Sequence, residues 1–274
     1  FGGGIFAPGT PFNAKVRGLA AFVENGQTKS AAIVDGMANQ NDVYVKIAQD
    51  QWGSFSEYSL NFPNVSPGAL SYTPDLSAIQ GLSLTPNGHI LVAGGSATSQ
   101  GQDERYLLRF DLQCNGGACS GGQMPNDMSL IAAVDINTVL GQTTRVGGVA
   151  VDLSNNKAYV AELQTDLSSS AVVIPVNLNS NGLALETNLE IPLGQVGSKG
   201  FDGLAHNSES GTLYGSVGPD QQGNPGFMEF DTSGFPLSTS WTDNSNNGWP
   251  TECCVAVSGL GMALENSKPI LFAV

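Results

Sequence analysis

Histidine is the side chain best suited to proton transfer near neutral pH, and this chain contains only two, His89 and His206. His89 is expected to be an exposed residue at the exit of a hairpin turn. His206 follows a short apolar strand, where it would either be a hydrogen-bonded structural residue or contact a ligand. The sequence contains no serine-hydrolase elbow, phosphate-binding loop or His-Glu-x-x-His zinc motif. It therefore predicts no catalytic residue.

Aromatic side chains in polar loops offer a second kind of chemistry, which is stacking on sugars. Trp241 and Trp249 flank segment 242–248, whose amide and hydroxyl side chains suit hydrogen bonds to glycans. The alternative is that both tryptophans pack at sheet edges. The candidate ligand-binding residues are therefore Trp241, Trp249 and His206.

The four cysteines form two local pairs, Cys114 with Cys119 and Cys253 with Cys254. This spacing differs from a Cys-x-x-Cys metal site and from a single catalytic thiol, so two disulfides are the simplest prediction. A bridge within the first pair would stiffen a short loop and contribute about 2 kcal/mol. The second pair would form a vicinal disulfide, stay as thiols, or bridge to the first pair, and the sequence leaves the connectivity open.

Charge and composition narrow the range of partners. The chain has 10 basic and 24 acidic residues and a formal net charge of −14, so its surface repels nucleic acid and anionic membranes. Charged residues make up only 12% of the chain, which favours a secreted or cell-surface protein with an Asn-, Ser- and Gly-rich surface. The glycosylation triplet Asn64-Val65-Ser66 fits that location. No segment reaches the roughly 18 apolar residues that a membrane span needs.

A recurring pair of strands predicts the elements that hold these side chains. Each copy has a Gly-apolar-small-apolar segment, a turn, and an apolar segment that ends in a small residue. The turns, such as 153–156, tolerate positive φ and predict antiparallel hairpins. Alternating segments such as 43–47 and 106–110 predict outer strands. The five copies are 17–22 with 31–34, 80–84 with 89–93, 147–151 with 158–161, 202–205 with 212–216, and 258–262 with 270–273.

Two inner and two outer strands per copy would form a blade of a β-propeller, and small apolar inner strands suit its crowded centre, where both faces are buried. We expect one all-β domain over residues 1–274, with five or six four-stranded antiparallel blades. The fifth copy supplies only two strands. The N-terminal segment 1–14 would complete that blade, or a neighbouring chain would do so.

The first two strands of each copy resemble the repeats of NHL-repeat and gluconolactonase-like propellers, as in segment 148–152 followed by segment 157–161. Phe201-Asp202-Gly203-Leu204-Ala205 is similar to the Asp-Gly-apolar segment that supplies a calcium-ligating aspartate in gluconolactonase-like proteins. The resemblance implies a Ca²⁺ site at Asp202.

The other copies depart from that family's ligand set, because the equivalent positions hold Arg17, Gln80, Gly147 and Ser258. An arginine would oppose a cation. Asp202 would then cap a strand end or pair with Arg17 instead of binding Ca²⁺.

These observations favour a non-enzymatic extracellular protein that assembles with copies of itself into a filament, sheath or surface coat, or that serves in adhesion. The first alternative is a Ca²⁺-dependent lactonase or esterase centred on Asp202. The second is a glycan-binding module that uses Trp241 or Trp249.

Overall fold

A computed structural model describes most of the predicted strands. The described residues are 16–24, 27–35, 43–48, 57–61, 70–85, 90–99, 102–114, 117–118, 126–137, 139, 144–164, 172–179, 182–186, 191–192, 201–217, 226–233, 236–242, 260–265 and 268–273. Side chains are described only from residue 70 onwards and not for sheet E, defined below. Within these ranges the protein is all-β, and its one helical element is the 3₁₀ turn Leu76–Ala78. None of this described chain forms a helix that is long and apolar enough to cross a membrane.

The strands form five antiparallel sheets, which we name A to E in chain order. Sheet A contains β1 (Val16–Glu24), β2 (Gln27–Asp35), β3 (Val43–Ala48) and β4 (Glu57–Asn61). Sheet B contains β5 (Ile79–Leu84), β6 (Ile90–Ser99), β7 (Gln102–Cys114), β8 (Gly117–Ala118) and β9 (Asp127–Asp135). Sheet C contains β10 (Thr144–Asp152), β11 (Lys157–Gln164), β12 (Val172–Asn179), β13 (Gly182–Leu185) and β14 (Ile191–Pro192).

The remaining two sheets differ in width. Sheet D contains β15 (Phe201–Asn207), β16 (Thr212–Val217), β17 (Gly226–Asp231) and β18 (Pro236–Thr242). Sheet E contains β19 (Leu260–Glu265) and β20 (Lys268–Ala273) and has no third strand among the described residues.

The five predicted strand pairs are confirmed as antiparallel hairpins that open the five sheets. The predicted outer strands 43–47 and 106–110 lie in β3 and β7. Asn156 has φ 52°, in line with the left-handed backbone expected of the turn 153–156. The prediction of four strands per sheet holds for A and D but is wrong for B and C, which have five. In sheet B, β8 is only two residues long, and β9 pairs with most of β7.

The first strands of the sheets lie against one another in chain order. β1 contacts β5, β5 contacts β10, β10 contacts β15, β15 contacts β19, and β19 contacts β1. The prediction that the first strands are buried on both faces holds for β10, in which every residue of 146–152 is buried, but not for β5, in which Gln80 and Ser83 are only partly buried.

Glycines allow these first strands to approach closely. A Cβ on Gly81 would lie 3.0 Å from the backbone N of Val149, in sheet C. A Cβ on Gly148 would meet the backbone of Gly203 and Leu204, in sheet D. Real Cβ atoms do not pack so tightly against backbone, so a larger residue would force the strands apart. The contact between neighbouring sheets thus explains the glycine of the second and third copies of the repeat.

Sheet C packs a different apolar face on each neighbour. Val149 and Val151 share a buried cluster with Val92 and Leu107 of sheet B. Residues of the opposite face form another cluster with sheet D, which contains Ala150, Tyr159, Ala161, Val173, Ile191, Phe201, Leu204, Leu213 and Phe230. We call these contacts the B–C junction and the C–D junction. The predicted closing segment 1–14 lies outside the described residues.

Candidate functional site

A buried polar residue starts the hairpin turn in three of the sheets. Thr85 follows β5, and its Oγ1 accepts a hydrogen bond of 3.0 Å from the backbone N of Ile90. Asn207 ends β15, and its Oδ1 accepts hydrogen bonds from the backbone N of Glu209 and Ser210 at 3.0 and 3.3 Å. Such residues satisfy turn N–H groups that the strands leave unpaired. The equivalent residue of sheet C is Asp152, at the end of β10.

Asp152 is fully buried and, unlike Thr85 and Asn207, has an ionisable side chain. Its Oδ1 accepts hydrogen bonds from Ser154 Oγ and from the backbone N of Asn155, the latter at 3.2 Å. Its Oδ2 accepts a hydrogen bond of 2.6 Å from Asn155 Nδ2. The local turn therefore supplies the partners that a buried carboxylate requires.

His206 reaches the same carboxylate from sheet D. Its Nε2 lies 3.6 Å from Asp152 Oδ2, and the side chains of His206 and Asp152 are 1% and 0% exposed. The distance exceeds that of a hydrogen bond, and neither ring nitrogen has a hydrogen-bond partner among the described residues. The Tyr159 ring lies 5.7 Å from the imidazole, centroid to centroid. The described residues therefore provide no hydrogen bond of the kind expected for a structural histidine, and the ligand contact of His206 stays a prediction.

Burial sets the protonation states of this pair. It is the main reason that the pKa of His206 lies below the usual 6.5, and the charge of Asp152 opposes the shift only in part. Burial alone would raise the pKa of Asp152, but the hydrogen bonds from Ser154 and Asn155, together with the neighbouring imidazole, outweigh it and bring the pKa below 3.8. A neutral imidazole therefore lies beside an ionised carboxylate at neutral pH.

The repeats show how unusual His206 is. By register with the second strand of each hairpin, the equivalent residues are Leu84 in sheet B and Val151 in sheet C. Both are buried and apolar, with 4% and 6% exposure. The C–D junction thus carries an imidazole at a position where sheets B and C have aliphatic side chains.

Asp152, His206 and Ser154 are the residue types of a catalytic triad, but their hydrogen bonds are not those of a triad. In a triad the serine hydroxyl bonds to the imidazole, which activates it. Here Ser154 Oγ donates to the Asp152 carboxylate, and the imidazole bonds to no hydroxyl among the described residues. A buried imidazole with 1% exposure also offers no surface to a substrate. The geometry is suited to a change of charge inside the protein and not to acyl transfer.

The predicted calcium position lies at the opposite end of β15. Asp202 falls at an irregularity of the β15–β16 register, between Phe201 and Gly203, and Arg17 and Gln80 fall at the same irregularity in sheets A and B. The backbone therefore confirms that these positions are equivalent. The side chains of Asp202 and Arg17 lie outside the described set, so their pairing and the Ca²⁺ site stay predictions. Among the described residues no group of three or more His, Cys, Asp or Glu side chains forms a metal site.

The structure does not bring the other candidates to His206. Trp241 lies on β18, opposite Phe227, and its side chain is not described. Cys114 ends β7. The predicted disulfides and the glycan contacts remain predictions, because Trp249, His89, Cys119, Cys253 and Cys254 lie outside the described residues.

Sequence reasoning missed Asp152 as the partner of His206. A signal was present, because Asp152 occupies the same place in its copy as Thr85 and Asn207, just before the turn. Aligning the copies would have shown one acid among neutral residues and one histidine among apolar ones. It would not have shown that both side chains face the same junction.

The chain matches no protein-family model, and none of the curated proteins compared with it matches either. The resemblance to gluconolactonase-like propellers therefore stays a prediction from the repeats.

Proposed function

We propose that this chain is a non-enzymatic extracellular β-propeller that assembles with copies of itself through sheet E. The contacts between first strands, from β1 to β5 and onwards to β19 and back to β1, support the propeller. In such a fold each sheet is a blade, and the strand closest to the axis is the first of each blade.

The observation that carries the proposal is the width of sheet E. It has two strands among the described residues, whereas the other sheets have four or five. β19 pairs with β20, and no further strand in the described part of the chain pairs with β20. The unpaired edge of a strand is a template for a further strand. We assign that role to segment 1–14 of another copy, which makes the contact between subunits a shared blade.

The surface and the buried pair are consistent with this assignment. Only 12% of residues are charged, and the acidic excess leaves a net charge of −14, which suits an extracellular surface rich in neutral polar groups. The His206–Asp152 pair is buried and is not arranged for catalysis. Glycans remain compatible with this surface as secondary partners.

The test compares the full chain with a variant that lacks residues 1–14. Sedimentation and negative-stain electron microscopy, with and without Ca²⁺, should show ordered polymers or oligomers for the full chain and monomers for the deletion variant. Circular dichroism of both proteins should show the same β content. A synthetic peptide of residues 1–14 should bind the deletion variant and should cap growing polymers of the full chain.

Two outcomes would overturn assembly. The first is a full chain that stays monomeric at every concentration while the deletion variant still binds the peptide, since the segment would then close its own sheet. The second is a deletion variant that polymerises as readily as the full chain.

A further inference from the structure

We propose that the C–D junction is acid-sensitive, such that a proton taken up by His206 weakens the packing of β15 on β10. The inference goes beyond assembly and does not depend on it. The imidazole lies on β15, the first strand of sheet D, and is 1% exposed. It faces Asp152, the last residue of β10 in sheet C.

The groups around the imidazole give little compensation for a positive charge. β10 contributes Asp152, and β11 contributes Tyr159, whose ring is tilted by 33° to the imidazole. β16 places Leu213 opposite His206. Lys157 lies opposite Asp152 in the register of β10 and β11, and its Nζ forms an ion pair with Glu186 Oε2 at 3.0 Å. β15 also contacts β19, none of whose side chains is described.

The Asp152 carboxylate cannot accept hydrogen bonds from both N–H groups of a protonated His206. Both oxygens of Asp152 already accept hydrogen bonds from the turn at Ser154 and Asn155. A protonated imidazole carries two N–H donors, on Nδ1 and Nε2. Nε2 can turn towards Asp152 Oδ2, 3.6 Å away, but Nδ1 has no partner among the described residues. A buried donor without a partner costs free energy, so protonation favours any opening that admits water.

The direction of the pH effect follows from the proton balance. Burial holds the pKa of His206 in the folded chain below 6.5, so between that lower value and 6.5 the unfolded chain binds more protons. The stabilisation from a neutral His206 is therefore complete above pH 6.5 and is lost as the pH falls towards the folded pKa. For every tenfold difference in proton affinity between the folded and unfolded chains, the folding equilibrium constant changes by up to about tenfold.

The two titratable side chains beside the imidazole, those of Asp152 and Tyr159, titrate in separate windows. The pKa of Asp152 lies below 3.8, so its own contribution is lost only in stronger acid. Burial, with Asp152 and Glu186 nearby, raises the pKa of Tyr159 to about 12, so its contribution is lost only above pH 10. A transition in mild acid that disappears in a variant without the imidazole is thus assigned to His206.

The neighbouring repeats supply the test variant. His206→Leu places in sheet D the residue that Leu84 provides in sheet B, and it removes the titrating group while keeping the junction apolar. Urea unfolding at pH 7.5 and 5.0 should show a fall in the wild-type midpoint that His206→Leu lacks. Hydrogen exchange, corrected for its intrinsic pH dependence, should accelerate several-fold in acid for β15 of the wild type. It should not accelerate for β9, which pairs with β7 in sheet B. A His206→Leu variant that loses as much stability in acid as the wild type would overturn the proposal.

A direct titration keeps the proposal testable if His206→Leu fails to fold. The chain has two histidines, so His89→Gln leaves one imidazole signal in the proton NMR spectrum. That signal should titrate below pH 6.5. A pKa at or above 6.5 would show that Asp152 stabilises the imidazolium, and the acid-sensitive junction would be excluded.

Discussion

The B–C and C–D junctions are made from the same hairpin yet differ at one pair of positions. At the B–C junction, the residue that starts the turn of sheet B is Thr85, which has a neutral hydroxyl. The residue before the turn position of sheet C is Val151, which is aliphatic. At the C–D junction the corresponding residues are Asp152 and His206, which lie 3.6 Å apart. One junction is thus free of titratable groups at this place, while the other buries two.

The comparison separates what the fold needs from what this sequence adds. In sheets B, C and D the first turn takes a side-chain acceptor, which is threonine, aspartate or asparagine. The preceding position holds a buried side chain without polar atoms in sheets B and C, where it is Leu84 and Val151. Neither the turn nor the apolar packing requires the charge of Asp152 or the ring nitrogens of His206. These two features are therefore the ones that the fold alone does not explain.

The largest effect is expected where both junctions are alike, at the glycines. Gly148→Ala would push a methyl group into the backbone of Gly203 and Leu204, and Gly81→Ala would do the same to Val149. Each substitution should lower the free energy of unfolding by about 3 kcal/mol, at the upper end for overpacking, as measured by urea denaturation. Gly182→Ala is the matched control, since its Cβ would have no neighbour closer than 3.5 Å. If Gly148→Ala were as stable as the control, the tight contact between sheets would be wrong.

A smaller effect should follow from copying the C–D feature into the B–C junction. Val151→His places an imidazole in the aliphatic cluster around Val92 and Leu107, without a carboxylate from the preceding sheet. The unpaired ring should lower the free energy of unfolding by about 2 kcal/mol at pH 7.5, and by more at pH 5.0. Val151→Leu is the control of similar shape and should show no added pH dependence. An equal loss at both pH values would mean that this position admits water.

The sequence predicted the hairpins well because their signal is local. Glycine and small apolar residues recur at a fixed place, and turn residues such as Asn156 adopt the left-handed backbone that they favour. The fifth strands of sheets B and C, β9 and β14, were not predicted. Each pairs with the third strand of its sheet after an intervening loop, and the path of that loop has no local sequence signal. The segments that form them, 127–135 and 191–192, carry no copy of the repeat pattern.

The candidate site was only half predictable. His206 was identified because histidine is rare in this chain, but its partner lies on another sheet, and no local pattern encodes the distance between β10 and β15. The burial of His206 and Asp152 likewise results from the packing of sheet C on sheet D, so the sequence of either strand alone does not predict it. Aligning the five copies would have revealed the two exceptional residues without showing that they meet.

The smallest effect should come from neutralising the carboxylate while keeping its turn. Asp152→Asn preserves an acceptor of the kind that Asn207 provides, so at pH 7.5 it should lower the free energy of unfolding by less than about 1 kcal/mol. The charge of Asp152 raises the pKa of His206 against the effect of burial, so removing that charge should move the His206 titration to still lower pH. Proton NMR of Asp152→Asn in the His89→Gln background measures the shift. Ser154→Ala is the control, because it removes one hydrogen bond to the carboxylate and keeps the charge. A His206 pKa that is the same with and without the Asp152 charge would show that the two groups do not interact, and the contrast between the junctions would then reduce to burial alone.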